Sequence, residues 1–107
     1  MIIHNADDKD NVYTLVFANG YALCMVYKDD THENVAWLAN VRVHPDYRQQ
    51  GLGNLLINQS ILFAREHGFE YLKLAALPGW RVDWYKRHGF EIILDNYCGR
   101  VIMQYKL

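Results

Sequence analysis

Val41-Arg42-Val43-His44-Pro45-Asp46-Tyr47-Arg48-Gln49-Gln50-Gly51-Leu52-Gly53-Asn54-Leu55-Leu56 reads as a strand, a tight polar turn and the start of a helix. The valines alternate up to Pro45, which cannot donate to a sheet ladder and so ends the pairing. Arg48, Gly51 and Gly53 follow at fixed spacing where an apolar helical run begins. Glycines there let the backbone approach a ligand closely. The unpaired N–H groups of a helix start, reinforced by the macrodipole, form an anion site, and the anion that fits is a phosphate.

Three phosphate-binding loops share this outline. A P-loop needs Lys and Ser or Thr after its last glycine, but Asn54-Leu55 stand there. A dinucleotide fingerprint needs a third small residue, where Leu56 stands, and an acid at the end of the next strand, which near Leu77 has none. What remains is Arg-x-x-Gly-x-Gly. With the preceding Val-x-Val-His-Pro and the later Trp84-Tyr85-Lys86-Arg87-His88-Gly89-Phe90, this pattern resembles the GNAT family of N-acetyltransferases, over about Val35 to Leu107.

Downstream of the turn, Gly51 to His67 carries Leu52, Leu55, Leu56, Ile57, Ile61, Leu62 and Phe63, more than one helical stripe, as suits a helix packed on a sheet. Gly68 fits the left-handed position that closes such a helix. Tyr71 to Leu77 then reads as a parallel strand, which makes the centre a right-handed βαβ unit. Pro78-Gly79 opens a short helix to His88, Phe90 to Leu94 is a strand, and Val101 to Leu107 alternates as the last one. Lys86-Arg87-His88-Gly89-Phe90-Glu91 echoes Arg65-Glu66-His67-Gly68-Phe69-Glu70; both read as glycine-capped helix ends and not as a duplication.

Upstream, Val12 to Ala18 and Tyr21 to Lys28 flank Asn19-Gly20, a strong hairpin signal, and Val35, Trp37, Ala39, Val41 and Val43 alternate into the glycine turn. Asn5 to Asn11 is polar, without periodicity, and reads as a loose start. The fold class is therefore α/β (α+β): a GNAT-like mixed, mostly antiparallel sheet of about six strands around a central βαβ unit, with at least two helices. The family's usual opening strand and paired helices have no room in this reading.

A chain of 107 residues, 51% hydrophobic, builds one compact core, so a single domain, 1–107, is expected. A net charge of −1 with dispersed basic residues argues against nucleic acid. No apolar run approaches a membrane span and the start is not a signal peptide, so a soluble, cytoplasmic protein is expected. Cys24 and Cys98 lack metal-ligand spacing and read as ordinary thiols, with no metal implied.

The resemblance implies acetyl-CoA as donor and an amine as acceptor. The pyrophosphate would lie on backbone N–H groups of Gln49, Gln50, Gly51, Leu52, Gly53 and Asn54, with Arg48 adding charge. Val41 and Val43 would act through their main chain on the pantetheine arm, in a gap opened where their strand splays from Tyr71–Leu77. Tyr85 occupies the position of the tyrosine that, in many family members, meets the CoA sulfur; a phenol of pKa about 10 can protonate a departing thiolate. Glu33, with His32 and Asp30 beside it, is the candidate base, a water chain being the alternative, and Asp29, Asp30 and Glu33 near the groove would favour a cationic acceptor. Pro78 and Arg81 depart from the asparagine and small residue that the family often has there. The missing helices imply an open groove, suited to a protein lysine or N-terminus, or one completed by a second copy in a homodimer. A CoA-binding sensor or interaction module of the same fold, without transfer, is the competing reading.

Overall fold

The computed structural model describes residues 2–7, as backbone, and residues 12–107. Seven strands form one sheet: β1 (Ile2–Asp7), β2 (Val12–Phe17), β3 (Ala22–Lys28), β4 (Val35–Val43), β5 (Tyr71–Ala76), β6 (Glu91–Tyr97) and β7 (Arg100–Lys106). Helix α1 (Leu52–Glu66) joins β4 to β5, and α2 (Trp80–Arg87) joins β5 to β6. The spatial order is β1-β2-β3-β4-β5-β7-β6. Every pairing is antiparallel except β4 with β5, the ends of the βαβ unit.

The strand beyond the expected six is β1. Its Ile2-Ile3 start is too short an apolar signal to announce a strand, but Ile2 pairs with Val16 and Asn5 with Tyr13, so β2 acts as its template. The loose start expected from Asn5 is corrected as far as Asp7, and residues 8–11 lie outside the description. An opening strand is thus present. Too few residues separate it from β2 for paired helices to follow it.

Alternation along the strands decides which face is core. Ala22, Cys24 and Val26 of β3 are buried, and Leu23 and Met25 between them are half-buried. The buried set meets Leu56, Ile57, Phe63 and Ala64 of α1, with Leu72, Leu74, Val101 and Met103 from β5 and β7 completing the core. Its one buried polar side chain among the described residues, Ser60, is satisfied: the hydroxyl donates to the Leu56 carbonyl at 2.7 Å, which leaves it to accept from the Cys24 thiol at 3.2 Å. Burial pushes the Cys24 thiol up from its ordinary value, and the Ser60 contact offsets part of that.

Both helices stop by the same device. Phe69 N–H donates to Ala64 O at 3.1 Å past Gly68 (φ 83°), and Phe90 N–H donates to Tyr85 O at 3.2 Å past Gly89 (φ 98°). In each, the histidine before the glycine turns Nδ1 to a carbonyl four residues back, at 2.9 Å. The two echoing segments are therefore the same cap formed twice.

Candidate active site

Strands β4 and β5 pair only over Val35–Trp37 and Tyr71–Lys73. Beyond that, β4 follows β3 as far as Val43 while β5 follows β7 as far as Ala76, so the parallel pair separates into a gap. A bulge helps: the β3–β4 register shifts between Leu23 and Met25, and Asn40 takes a positive φ of 53°. The extra residue increases local twist and turns the end of β4 away from its neighbour.

At the wide end of the gap the chain makes a short 3-10 turn, Pro45–Tyr47, and enters α1. His44 serves structure here: its Nδ1 accepts from Asp46 N–H at 3.2 Å, and its ring packs edge-on against Tyr21. Gln49 (φ 64°) and Gly51 (φ 80°) are left-handed, and this bends the backbone over the helix start. The first intrahelical bond runs from Leu55 N–H to Gly51 O at 3.0 Å, which leaves the N–H groups of Leu52, Gly53 and Asn54 without intrahelical acceptors. Arg48 is pinned beside them, its Nε donating to Val43 O at 3.3 Å.

Gap and turn open into one cleft of about 940 Å³. It brings together Val41, Val43, Arg48, Gln49, Gly51, Leu52, Gly53, Asn54 and Tyr85, all expected; Gln50 belongs to the turn but not to the lining. Gly53 has a packing role that its place in the motif did not reveal. A Cβ there would stand 3.2 Å from Trp84 Cζ2, so the absent side chain lets α2 close on α1. Tyr85 is only 9% exposed, with Trp84 and Phe90 rings 5.0 and 5.8 Å away. Burial pushes its phenol above the ordinary value, against a smaller opposing effect of the Arg81 charge.

Glu33 is not brought to the cleft. It precedes the far end of β4, its side chain is 93% exposed and it pairs with Lys28 at 3.8 Å. The strand from Val35 onward separates it from Val41, the first β4 residue of the cleft lining, by ~20 Å. Asp29 shares that end. It accepts from Trp37 Nε1 at 2.7 Å and from Thr31 and His32 N–H, and these bonds, led by the Trp37 one, hold its carboxyl well below the usual carboxylate range. These groups stabilise the loop before β4 and do not charge the groove, contrary to the expectation of an acidic acceptor side.

The sequence reading missed Arg42, Tyr21 and Tyr47, all of which line the cleft. Tyr21 and Tyr47 stack at 4.2 Å, closing the cleft beside the turn. Only Arg42 had a legible signal, a cation between the two valines of the motif strand. Arg81 also lines the cleft, its guanidinium 4.6 Å over the ring of Trp80, itself 65% exposed.

Solved structures place this arrangement in a known fold. The chain superposes on PaiA N-acetyltransferase from Thermoplasma acidophilum, in complex with coenzyme A, at TM-score 0.76, with 19% identity, covering 91% of this chain and 62% of that one. It superposes on N-acetylglutamate synthase from Neisseria gonorrhoeae, complexed with coenzyme A and N-acetyl-glutamate, at TM-score 0.72 and 17% identity, covering 91% and 26%. The family described as Acetyltransferase (GNAT) domain matches residues 5–92, and the chain belongs to the GNAT family. Among relatives in sequence, the amino-acid acetyltransferase of Mannheimia succiniciproducens is 35% identical over 81 residues, 75% of this chain. That of Pasteurella multocida is 32% identical over 83 residues, 77% of this chain. The match spans 18% of each relative's length.

Proposed function

We propose that the protein is an acetyl-CoA-dependent N-acetyltransferase. The observation that carries this reading is the separation of β4 from β5 immediately beside the unsatisfied N-terminus of α1. A long thioester needs both: free strand edges for its arm and an anion site for its pyrophosphate. Leu52, Gly53 and Asn54 N–H groups with Arg48 hold the phosphates, and Val41 and Val43 bond the arm through their main chain. A main-chain N–H near Val41 polarises the thioester carbonyl.

The neutral amine attacks the carbonyl carbon, a C–N bond forms and the C–S bond breaks. The leaving thiolate takes the Tyr85 phenol proton, and the tyrosine recovers one from water. Among the described residues no Asp or Glu lines the cleft, so the amine gives up its proton to water, which replaces Glu33 in that role. Names of the relatives in sequence support an amino acid as acceptor; the open groove would admit a protein N-terminus as well. Two free cysteines, Cys24 and the exposed Cys98, favour a cytoplasmic setting. A homodimer through β6, an edge strand with every residue exposed, completes the reading.

Calorimetric titration of acetyl-CoA into wild type and Arg48→Glu is the test. Arg48 is exposed and, among the described residues, its side chain bonds only a carbonyl at the strand end, so its replacement spares the fold, whereas Gly53→Glu would also push Trp84 aside. Wild type is expected to bind and the variant to lose roughly 10-fold or more in affinity, as removal of a charge-assisted contact and reversal of its sign require. Equal affinities would end the assignment of the turn. Binding without transfer to any amine would favour the sensor reading.

A further inference from the structure

Among the described residues the cleft lining contains three arginines, Arg42, Arg48 and Arg81, and no carboxylate. Among the described residues none of the three forms an ion pair. Two already have a partner: Arg48 is bonded to the end of β4 beside the α1 N-terminus, and Arg81 is stacked on Trp80 at the start of α2. Arg42 has neither a bond nor a stacking partner within the described residues.

Its face of the sheet differs too. Val43 pairs with buried Ala22, and Val41 and Val43 pack against the α1-side core. Arg42 pairs with Leu23, whose side chain lies on the face that α1 does not cover, so the guanidinium extends on that opposite face. A donor seated on the α1 N-terminus fills the gap from the α1 side. The second substrate must then reach the thioester from the face on which Arg42 stands.

We infer that Arg42 recognises a carboxylate of the acceptor, which makes the acceptor an amine bearing a nearby carboxylate, a free amino acid, and not a protein lysine. This rests on the acetyl-transfer reading. A guanidinium binds a carboxylate in two parallel hydrogen bonds, and Arg42 neighbours Val41, beside which the thioester carbonyl would lie, so amine and carboxylate of one small molecule span the two. The charge of the cleft acts in the same direction. With the donor's phosphates on Arg48, Arg42 still has no ion-pair partner among the described residues; its charge repels a lysine ammonium, whereas an amino acid brings its own anion.

The test compares free amino acids, the matching amino-acid amides and a lysine peptide as acceptors, with acetyl-CoA saturating, for wild type, Arg42→Gln and Arg42→Lys. Acetyl-CoA affinity is measured separately by calorimetry. Wild type is expected to prefer the acid to its amide. Arg42→Gln should raise KM for the acid roughly 10- to 100-fold, the range for a lost charged hydrogen-bond pair, with the amide's KM and acetyl-CoA affinity within about twofold. Arg42→Lys should recover part of the loss. Equal use of acid and amide, preference for the peptide, or a loss confined to acetyl-CoA affinity would overturn the inference while leaving the donor site standing. So would failure of the acetyl-CoA-loaded protein to acetylate any amino acid. Absence of acetyl-CoA binding would overturn both readings.

Discussion

Tyr85 has a packing role in the fold and, in the transfer proposed above, a chemical one. Its ring is buried against Trp84 and Phe90 while it still lines the cleft, and its hydroxyl bonds no group among the described residues. Because burial is the largest influence on its pKa and raises it, the phenol keeps its proton throughout the neutral range. The sign follows: a raised pKa favours the protonated acid, so proton donation is available below the ordinary tyrosine value of about 10 and is lost only as pH rises past it. Tyr85→Phe is expected to lower kcat about 100-fold with acetyl-CoA affinity little changed, and to abolish the basic limb of the kcat profile. An unaltered profile would return Tyr85 to a packing role. In the sequence, helical spacing with Trp80 and Trp84 favoured packing alone; only the motif resemblance pointed to chemistry.

Among the elements, the junctions leaving α1 and α2 share a cap but not its surroundings. Gly68 has open space where a Cβ would stand, whereas at Gly89 that Cβ would lie 2.8 Å from Tyr105 Cε2. Both glycines have positive φ, so alanine at either costs the left-handed strain of about 1–2 kcal/mol. Gly89→Ala must also displace a ring packed on Phe90. Urea denaturation should find Gly89→Ala less stable than Gly68→Ala by about 1 kcal/mol or more, the range of overpacking costs. Equal losses would mean that Tyr105 moves freely. The need for both glycines was legible as a cap signal; the Tyr105 contact, and that of Gly53 with Trp84, required knowledge of what folds back onto the turn.

For the whole molecule, the open end of the sheet is the conspicuous feature. β6 closes the strand order, and Ile92, Ile93, Leu94 and Tyr97 are all exposed on it. An unpaired antiparallel edge is its own complement about a twofold axis, and apolar side chains on such an edge favour its use. Sedimentation velocity is expected to give a dimer mass, and Ile93→Lys a monomer. A monomer at every concentration for the wild type would refute the β6 contact. Among the described residues no helix is long and apolar enough to cross a membrane.

The sequence by itself determined the strand from Val35 to Val43, the glycine turn, the helix behind it and both glycine caps, because periodicity, proline and left-handed glycine act within a few residues of chain. It could not reveal β1, which pairs with β2 along a backbone edge and has little apolar signal of its own. It could not place Glu33, because whether a residue eight positions before Val41 lies near it depends on the intervening chain being an extended strand that keeps its ends apart. Nor could it give Arg42 a face: a bulge at Asn40 resets the alternation, and only the register against β3 fixes which side of the sheet the guanidinium takes. Local rules acting along the chain produced the motif, and long-range pairing across the sheet decided what the motif confronts.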